Sequence, residues 1–285
     1  MERRNFKLSD GRNLEYCRNQ IESDSIIIFH AGTMQDITGW KTWLDYCESN
    51  KVAALAFGRS GYVASTKKLG RITIDVARDI SELADHCAIS RMVNVGLSGG
   101  GQHALATGLD PRTAGVVTIG SLAPYLELGE HFFDGMQQAD LDEYDDARVD
   151  INLLIERFQG YMNPHQGEAG IPMEIAPNDK RARENPSWKI LMDSVAFTAS
   201  QGWDWVADDY SSYLKPWGFD PREITVPVSI WQGGLDKNVP PQHGRWLSQN
   251  ISRSTLHLKD DESHIGLYIN YELEIMKDAI GLLRP

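Results

Sequence analysis

The sequence predicts an α/β protein: a mostly parallel sheet of eight strands flanked by helices, with a helical piece inserted at 122–222. Three observations predict it. Short apolar runs without polar alternation recur along the chain, which is how strands buried on both faces read. Stretches with helical spacing separate these runs, so successive strands are joined by crossovers and lie parallel. The alternation breaks between residues 122 and 222 and resumes at Val226.

Taken in order, residues 5–8 and 12–17 flank Asp10-Gly11, a turn dipeptide that favours positive φ, and predict an opening β-hairpin. The first unbroken apolar run is 25–29. Similar runs follow at 52–57, 92–95, 115–119 and 226–231, with a less apolar one at 255–258. The clearest helix is 72–88, where Ile72, Val76, Ile80 and Leu83 fall on one stripe. A shorter one is expected from Gln102 to Gly108, and a last one over 265–283. The interval 122–222 lacks a clear strand, carries the acidic run 139–150, and holds Trp188, Trp203, Trp205 and Trp217 among helical patterns. We therefore expect one core domain built from 1–121 and 223–285, with a helical cap at 122–222. No repeat or low-complexity segment interrupts this scheme.

Composition narrows the class. The chain has 285 residues, 41% apolar and 24% charged, close to the averages of soluble globular domains, so neither a disordered nor a fibrous design is suggested. A net charge of −12 disfavours nucleic acid and anionic membrane surfaces as partners. Cys17, Cys47 and Cys87 are odd in number and lack metal-ligand spacing, which predicts three reduced, structural thiols and a cytoplasmic location. The charged start Met-Glu-Arg-Arg-Asn is followed by no apolar run of signal-peptide type, and no stretch reaches the roughly 20 apolar residues that cross a bilayer. Nothing calls for a metal or an organic cofactor, and the sequence is silent on oligomeric state.

Chemistry enters at the end of the run 92–95, where Gly96-Leu97-Ser98-Gly99-Gly100 leads into the helix beginning near Gln102. This is G-x-S-x-G between a strand and a helix, the setting that makes the motif a nucleophile turn. Side chains at Gly96 and Gly100 would clash in so tight a turn, and Ser98 is forced into a strained backbone. The competing reading is a glycine-rich turn that joins strand to helix or cradles a phosphate. A serine hydroxyl needs a base to become nucleophilic. Of eight histidines, His264 lies in a loop after the last strand, in Asp261-Glu-Ser-His-Ile-Gly266, where it can reach Ser98. His30 ends a strand, and His103 lies down the helix after Ser98. His86, His131, His165, His243 and His257 fall in helix, cap or strand contexts that suit structural or surface histidines. The base needs a carboxylate, and Asp236 follows the strand 226–231 in a polar loop. A solvated turn aspartate would look the same; the order Ser, Asp, His, each after a separate strand, favours the catalytic role. Two backbone N–H groups must face the developing oxyanion. One is expected from Gly99 and the other from the loop His30-Ala31-Gly32-Thr33-Met34.

These motifs together resemble the α/β-hydrolase superfamily over nearly the whole chain. His30-Ala-Gly-Thr resembles its H-G-x oxyanion segment. Gly58-Arg-Ser-Gly-Tyr62 is similar to the arginine–glycine turn after the fourth strand, and Gly233-Gly-Leu-Asp-Lys-Asn-Val-Pro240 to the acid loop. Ser263-His264 stands at the usual G-H. The extra Ala31 leaves the second donor open among Thr33, taken here, Gly32 and Met34. The resemblance implies a serine esterase-like enzyme with Ser98, Asp236 and His264 as triad, Gly99 and Thr33 as oxyanion hole, and the insertion as a lid over an apolar small-molecule substrate. It leaves open a lactonase, a C–C bond hydrolase, an acyltransferase, or a ligand-sensing relative with little turnover. Serine at position 98 disfavours dehalogenases and epoxide hydrolases, which use aspartate there, and Gly99 weakens a proline iminopeptidase reading. The aromatic and thioether residues of the insertion, among them Phe132, Phe158, Met162, Met192 and Trp205, are expected mostly in its own core.

Overall fold

In the computed structural model, which describes residues 1–162 and 176–284, eight strands form one sheet: β1 (Arg4–Lys7), β2 (Asn13–Arg18), β3 (Ser25–His30), β4 (Ala53–Phe57), β5 (Arg91–Leu97), β6 (Thr113–Ile119), β7 (Val228–Gly233) and β8 (Ser254–Lys259). Their spatial order is β1-β2-β4-β3-β5-β6-β7-β8. β2 pairs antiparallel with β1 and β4, and the pairings from β4 through β8 are parallel. The expected hairpin, the expected strands and the mostly parallel sheet are all present.

Period-2 alternation explains why the central strands read as unbroken apolar runs. Ile27 and Phe29 of β3 enter one apolar cluster, with Trp40, Trp43 and Tyr268. Ile26 and Ile28 enter another on the opposite face, with Val76, Ile80 and Leu83 from helix α2 (Thr73–His86), in sequence after α1 (Lys41–Ser49). The stripe expected on α2 is thus the buried one, apart from Ile72, which stands just before the helix at its N-cap position and is half-buried. Cys17, Cys47 and Cys87 are all free thiols, the first two buried within the first cluster.

Ser98 heads a short 3₁₀ turn that continues as α3 (Gly101–Thr107). Between β6 and β7 the described residues form no strand. They contain α4 (Tyr125–Leu128), α5 (Gln138–Val149), α6 (Ile151–Tyr161), α7 (Asp179–Glu184), α8 (Pro186–Ser200) and α9 (Asp204–Tyr213). Asp150 caps α6 and Asn185 caps α8, each accepting the N–H two residues on, with Pro186 opening α8 where a missing N–H costs nothing. These helices share a core of Phe132, Tyr144, Phe158, Trp205 and Tyr210 with Met34 and Tyr62, which lie in loops after β3 and β4. After β7 come α10 (Pro241–Asn250), α11 (His264–Asn270) and α12 (Glu272–Leu283). The single helix expected over 265–283 is two helices, broken at Tyr271. Among the described residues, no helix is long and apolar enough to cross a membrane.

Candidate active site

Because β3 to β8 run parallel, the loops that leave them emerge at one edge of the sheet, where such folds gather ligands. Ser98 follows β5 with a φ of 51°. An L-residue adopts that angle only at a cost, and the sequence provides for the rest of the turn. A Cβ on Gly96 would stand 2.5 Å from the Gly100 carbonyl oxygen. The hydroxyl-bearing carbon thus stands clear of the sheet at the start of a helix, as expected from the motif.

Asp236 follows β7 and His264 opens α11, 2% and 7% exposed. Their side chains meet: His264 Nδ1 lies 2.7 Å from Asp236 Oδ2. The other carboxylate oxygen accepts the N–H groups of Asn238 (3.0 Å) and Val239 (2.8 Å), which fixes the aspartate in its loop. Burial opposes protonation of His264, but the charge and hydrogen bond of Asp236, with the charge of Asp140, outweigh it and leave the imidazole pKa raised. Gly120, just past β6 with a φ of 53°, makes room for this pair. A Cβ there would lie 2.9 Å from His264 Nδ1 and 3.2 Å from Asp236 Oδ2. Nothing in the sequence singled out Gly120; only the strand end before it hinted at its place.

Ser98, Gly99, Thr33 and His264 line one cavity of about 620 Å³, together with Leu97, Leu122 and residues of α5, α6, α8 and α9. Gly99 lies in the first turn of a helix, where N–H groups have no intrahelical acceptor. In the loop after β3, the Gly32 N–H donates to Gln35 Oε1 (2.9 Å) and the Met34 N–H to Tyr62 Oη (3.2 Å). Among the described residues the Thr33 N–H has no acceptor, so of the three alternatives Thr33 is the one with an N–H to spare.

The other described histidines fall where their contexts suggest. His30 is buried with Nε2 3.0 Å from Asn94 Oδ1, and burial pushes its pKa down to about 3. His103 is buried beside Arg71 and its pKa is likewise lowered by burial. His243 accepts the Ala123 N–H at Nδ1 (3.1 Å) and lies 2.9 Å from the Phe132 carbonyl oxygen. His86 stacks on Phe6, His257 stacks on Trp231, and His131 contacts Asp134 at the surface. His165 lies outside the described residues. Ser263, which stands where glycine is usual, caps α11 by accepting the Gly266 N–H (3.0 Å) and bonds Asp179 of α7.

The helices between β6 and β7 supply the cavity with more polar groups than the acidic run 139–150 suggests. Of the aromatic and thioether candidates, Phe158, Met162 and Met192 line the cavity, while Phe132, Met136 and Trp205 are buried in the helical core. Asp140 and Glu143, three apart on α5, also line it, buried at 8% and 4% exposure. Asp140 accepts from Asn238 Nδ2 (3.0 Å) and Glu143 from the Tyr210 hydroxyl. Burial raises both carboxyl pKa values well above the usual range; Asp236 adds to the rise at Asp140, and Asp140 to that at Glu143. The folded protein therefore holds protons that the unfolded chain releases. Stability from this source is full below the ordinary carboxylate range and declines as pH rises through the raised values. Between about pH 6 and about pH 9, the Glu143→Gln protein should lose less denaturant stability than the parent, by about 1 kcal/mol or more. Equal losses in urea titrations would refute this.

A mostly parallel sheet wrapped by helices, with its cavity at the strand carboxyl ends beside a serine on a positive-φ turn, defines a doubly wound α/β protein. No family model and no curated protein matches the sequence. Solved structures match its fold. A hydrolase from Pseudomonas aeruginosa aligns with a TM-score of 0.73 at 16% identity, covering 100% of this chain and 99% of its own. An esterase from Exiguobacterium antarcticum gives 0.70 at 14% identity, over 99% of both chains. An enol-lactonase from Burkholderia xenovorans gives 0.68 at 19% identity, over 98% of this chain and 99% of its own. The chain has the α/β-hydrolase fold.

Proposed function

We propose that the protein is a serine hydrolase that cleaves a small-molecule ester through an acyl-enzyme. One observation carries the reading: Ser98, presented on its positive-φ turn, opens into the same cavity as His264, whose far nitrogen is bonded to a buried carboxylate. Ser98 attacks the carbonyl while His264 takes its proton, and Asp236 holds the imidazole with Nδ1 protonated and balances the imidazolium. The N–H groups of Gly99 and Thr33 receive the oxyanion. His264 passes the proton to the leaving alcohol, and water, activated by the same imidazole, releases the acid. The helices of 122–222 act as the lid. Their contribution of Phe158, Met162, Leu191, Met192 and Val195 suits an apolar acyl or alcohol group. Solved structures of this fold that align over nearly the whole chain include esterases and a lactonase, which supports hydrolysis at a carboxyl carbon.

A fluorophosphonate probe tests this. The expected result is one covalent adduct on the peptide containing Ser98, loss of p-nitrophenyl ester turnover in step with labelling, and many turnovers per protein without the probe. Labelling elsewhere, or a single slow event per protein, would reject the hydrolase reading.

A further inference from the structure

Four consecutive residues of the loop after β3, which carries the Thr33 N–H, are held by side chains that converge on one carboxylate of the insertion. The Ala31 carbonyl accepts from Arg59 Nη1, and the Gly32 carbonyl lies 3.5 Å from Arg59 Nη2. Thr33 Oγ1 is 2.5 Å from the Tyr213 hydroxyl. The Met34 N–H donates to the Tyr62 hydroxyl. All three partners reach Asp209 on α9: Arg59 Nη2 at 2.6 Å, Tyr62 Oη at 2.6 Å and Tyr213 Oη at 3.0 Å, each on Oδ2. Arg71 engages the other oxygen. Asp209 is fully buried, and Arg59, Arg71 and Tyr62 are each 1% exposed.

The protons of this cluster have one consistent arrangement. Burial works against the charge on Asp209, but the two guanidinium groups outweigh it and keep the carboxylate ionised, so it can only accept. The Tyr213 hydroxyl then donates to Asp209 and accepts a hydrogen bond from the Thr33 hydroxyl. The Thr33 side chain is thereby turned toward α9, and its hydroxyl proton is not free for a substrate; its backbone N–H is. The Tyr213 and Thr33 hydroxyls also crowd Gly99, where a Cβ would collide with both. The group that fixes one half of the oxyanion hole thus abuts the other. Two buried arginines around one carboxylate are a poor device for stability, because desolvation offsets much of the attraction. Their placement on the loop that would receive the oxyanion calls for another role.

We propose that Asp209 is a positioning residue for the oxyanion hole: from α9 it holds loop 31–34, through Arg59, Tyr62 and Tyr213, in the shape that aims the Thr33 N–H. The inference rests on the serine hydrolase reading. It makes the lid helix part of the machinery that stabilises the transition state, in addition to covering the pocket.

Asp209→Asn leaves two buried guanidinium groups short of a counter-charge and is destabilising on that account alone, so the decisive variant is Tyr213→Phe, which removes one oxygen. Its kcat on a p-nitrophenyl ester should fall about 10- to 100-fold, with KM within about threefold and thermal stability near that of the parent. Affinity for a trifluoromethyl ketone, whose adduct carries the oxyanion, should fall by a similar factor. Thr33→Val should produce a comparable loss, and the double variant should be no worse than either single one, since both remove the same bond. A Tyr213→Phe enzyme with kcat and ketone affinity within about twofold of the parent would overturn the inference while leaving the hydrolase reading intact, as would parallel losses of KM and stability without loss of ketone affinity. A parent protein that neither turns over the ester nor binds the ketone would overturn both.

Discussion

Replacing Ser98 with alanine is expected to lower kcat on a p-nitrophenyl ester by about 10⁴- to 10⁶-fold, the range seen when a serine nucleophile is removed and only the oxyanion site and binding remain. The fold should survive. The strain at φ 51° is imposed by the turn and borne by any residue with a Cβ, so alanine adds little to the cost that serine already carries. No hydrogen bond in which the Ser98 hydroxyl supports the fold is present among the described residues. Thermal unfolding should therefore shift by no more than a few degrees. Release of p-nitrophenol and a melting curve on the same sample check both halves, and undiminished turnover would remove Ser98 from the mechanism.

Asp236→Asn should cost about 10⁴-fold in kcat through geometry that hardly changes. The asparagine carbonyl can keep the two loop N–H bonds from Asn238 and Val239, which places its amide N–H₂ against His264 Nδ1. That donor selects the tautomer with the proton on Nε2, the nitrogen that must instead accept from Ser98. The pH profile should change as well. With the carboxylate gone, the burial that opposes protonation of His264 is no longer outweighed, so its pKa falls and the acid limb of kcat/KM moves to lower pH even as the plateau drops. A variant with the parent's acid limb would show that Asp236 does not act through His264.

Much of this arrangement is legible in the chain because the responsible signals are local. Ile26 to Phe29 read as a doubly buried strand since alternate residues enter opposite apolar clusters. Ser98 is legible from the glycines that its turn requires, and Asp236 and His264 from their places after successive strands. The rest depends on contacts remote in sequence. Asp140 and Glu143 sit in a run of carboxylates that reads as a solvated face, and only their burial against Asn238 and Tyr210 separates them from Asp142 and Asp145. Asp209 and Tyr213 lie far along the chain from the loop they hold, in a helix whose polar residues give no sign of direction. Gly120 looks like any glycine after a strand until His264 is placed against it. The break at Tyr271 has no local sign in the sequence because apolar residues continue on both sides of it.

The helical interval between β6 and β7 has a consequence for how the molecule is made. Val116 pairs with Val228 and Ile119 with Trp231, so closing this half of the sheet requires a loop that spans the entire interval. Loop closure of that length is slow relative to the local steps that build α2 or the β1–β2 hairpin. The Ser98 turn lies in the half of the sheet whose strands are all synthesised before the interval, whereas Asp236 and His264 follow β7 and β8. During synthesis the Ser98 turn can therefore form well before Asp236 and His264 emerge, and the reactivity proposed for Ser98 should appear as a late, all-or-none event in folding.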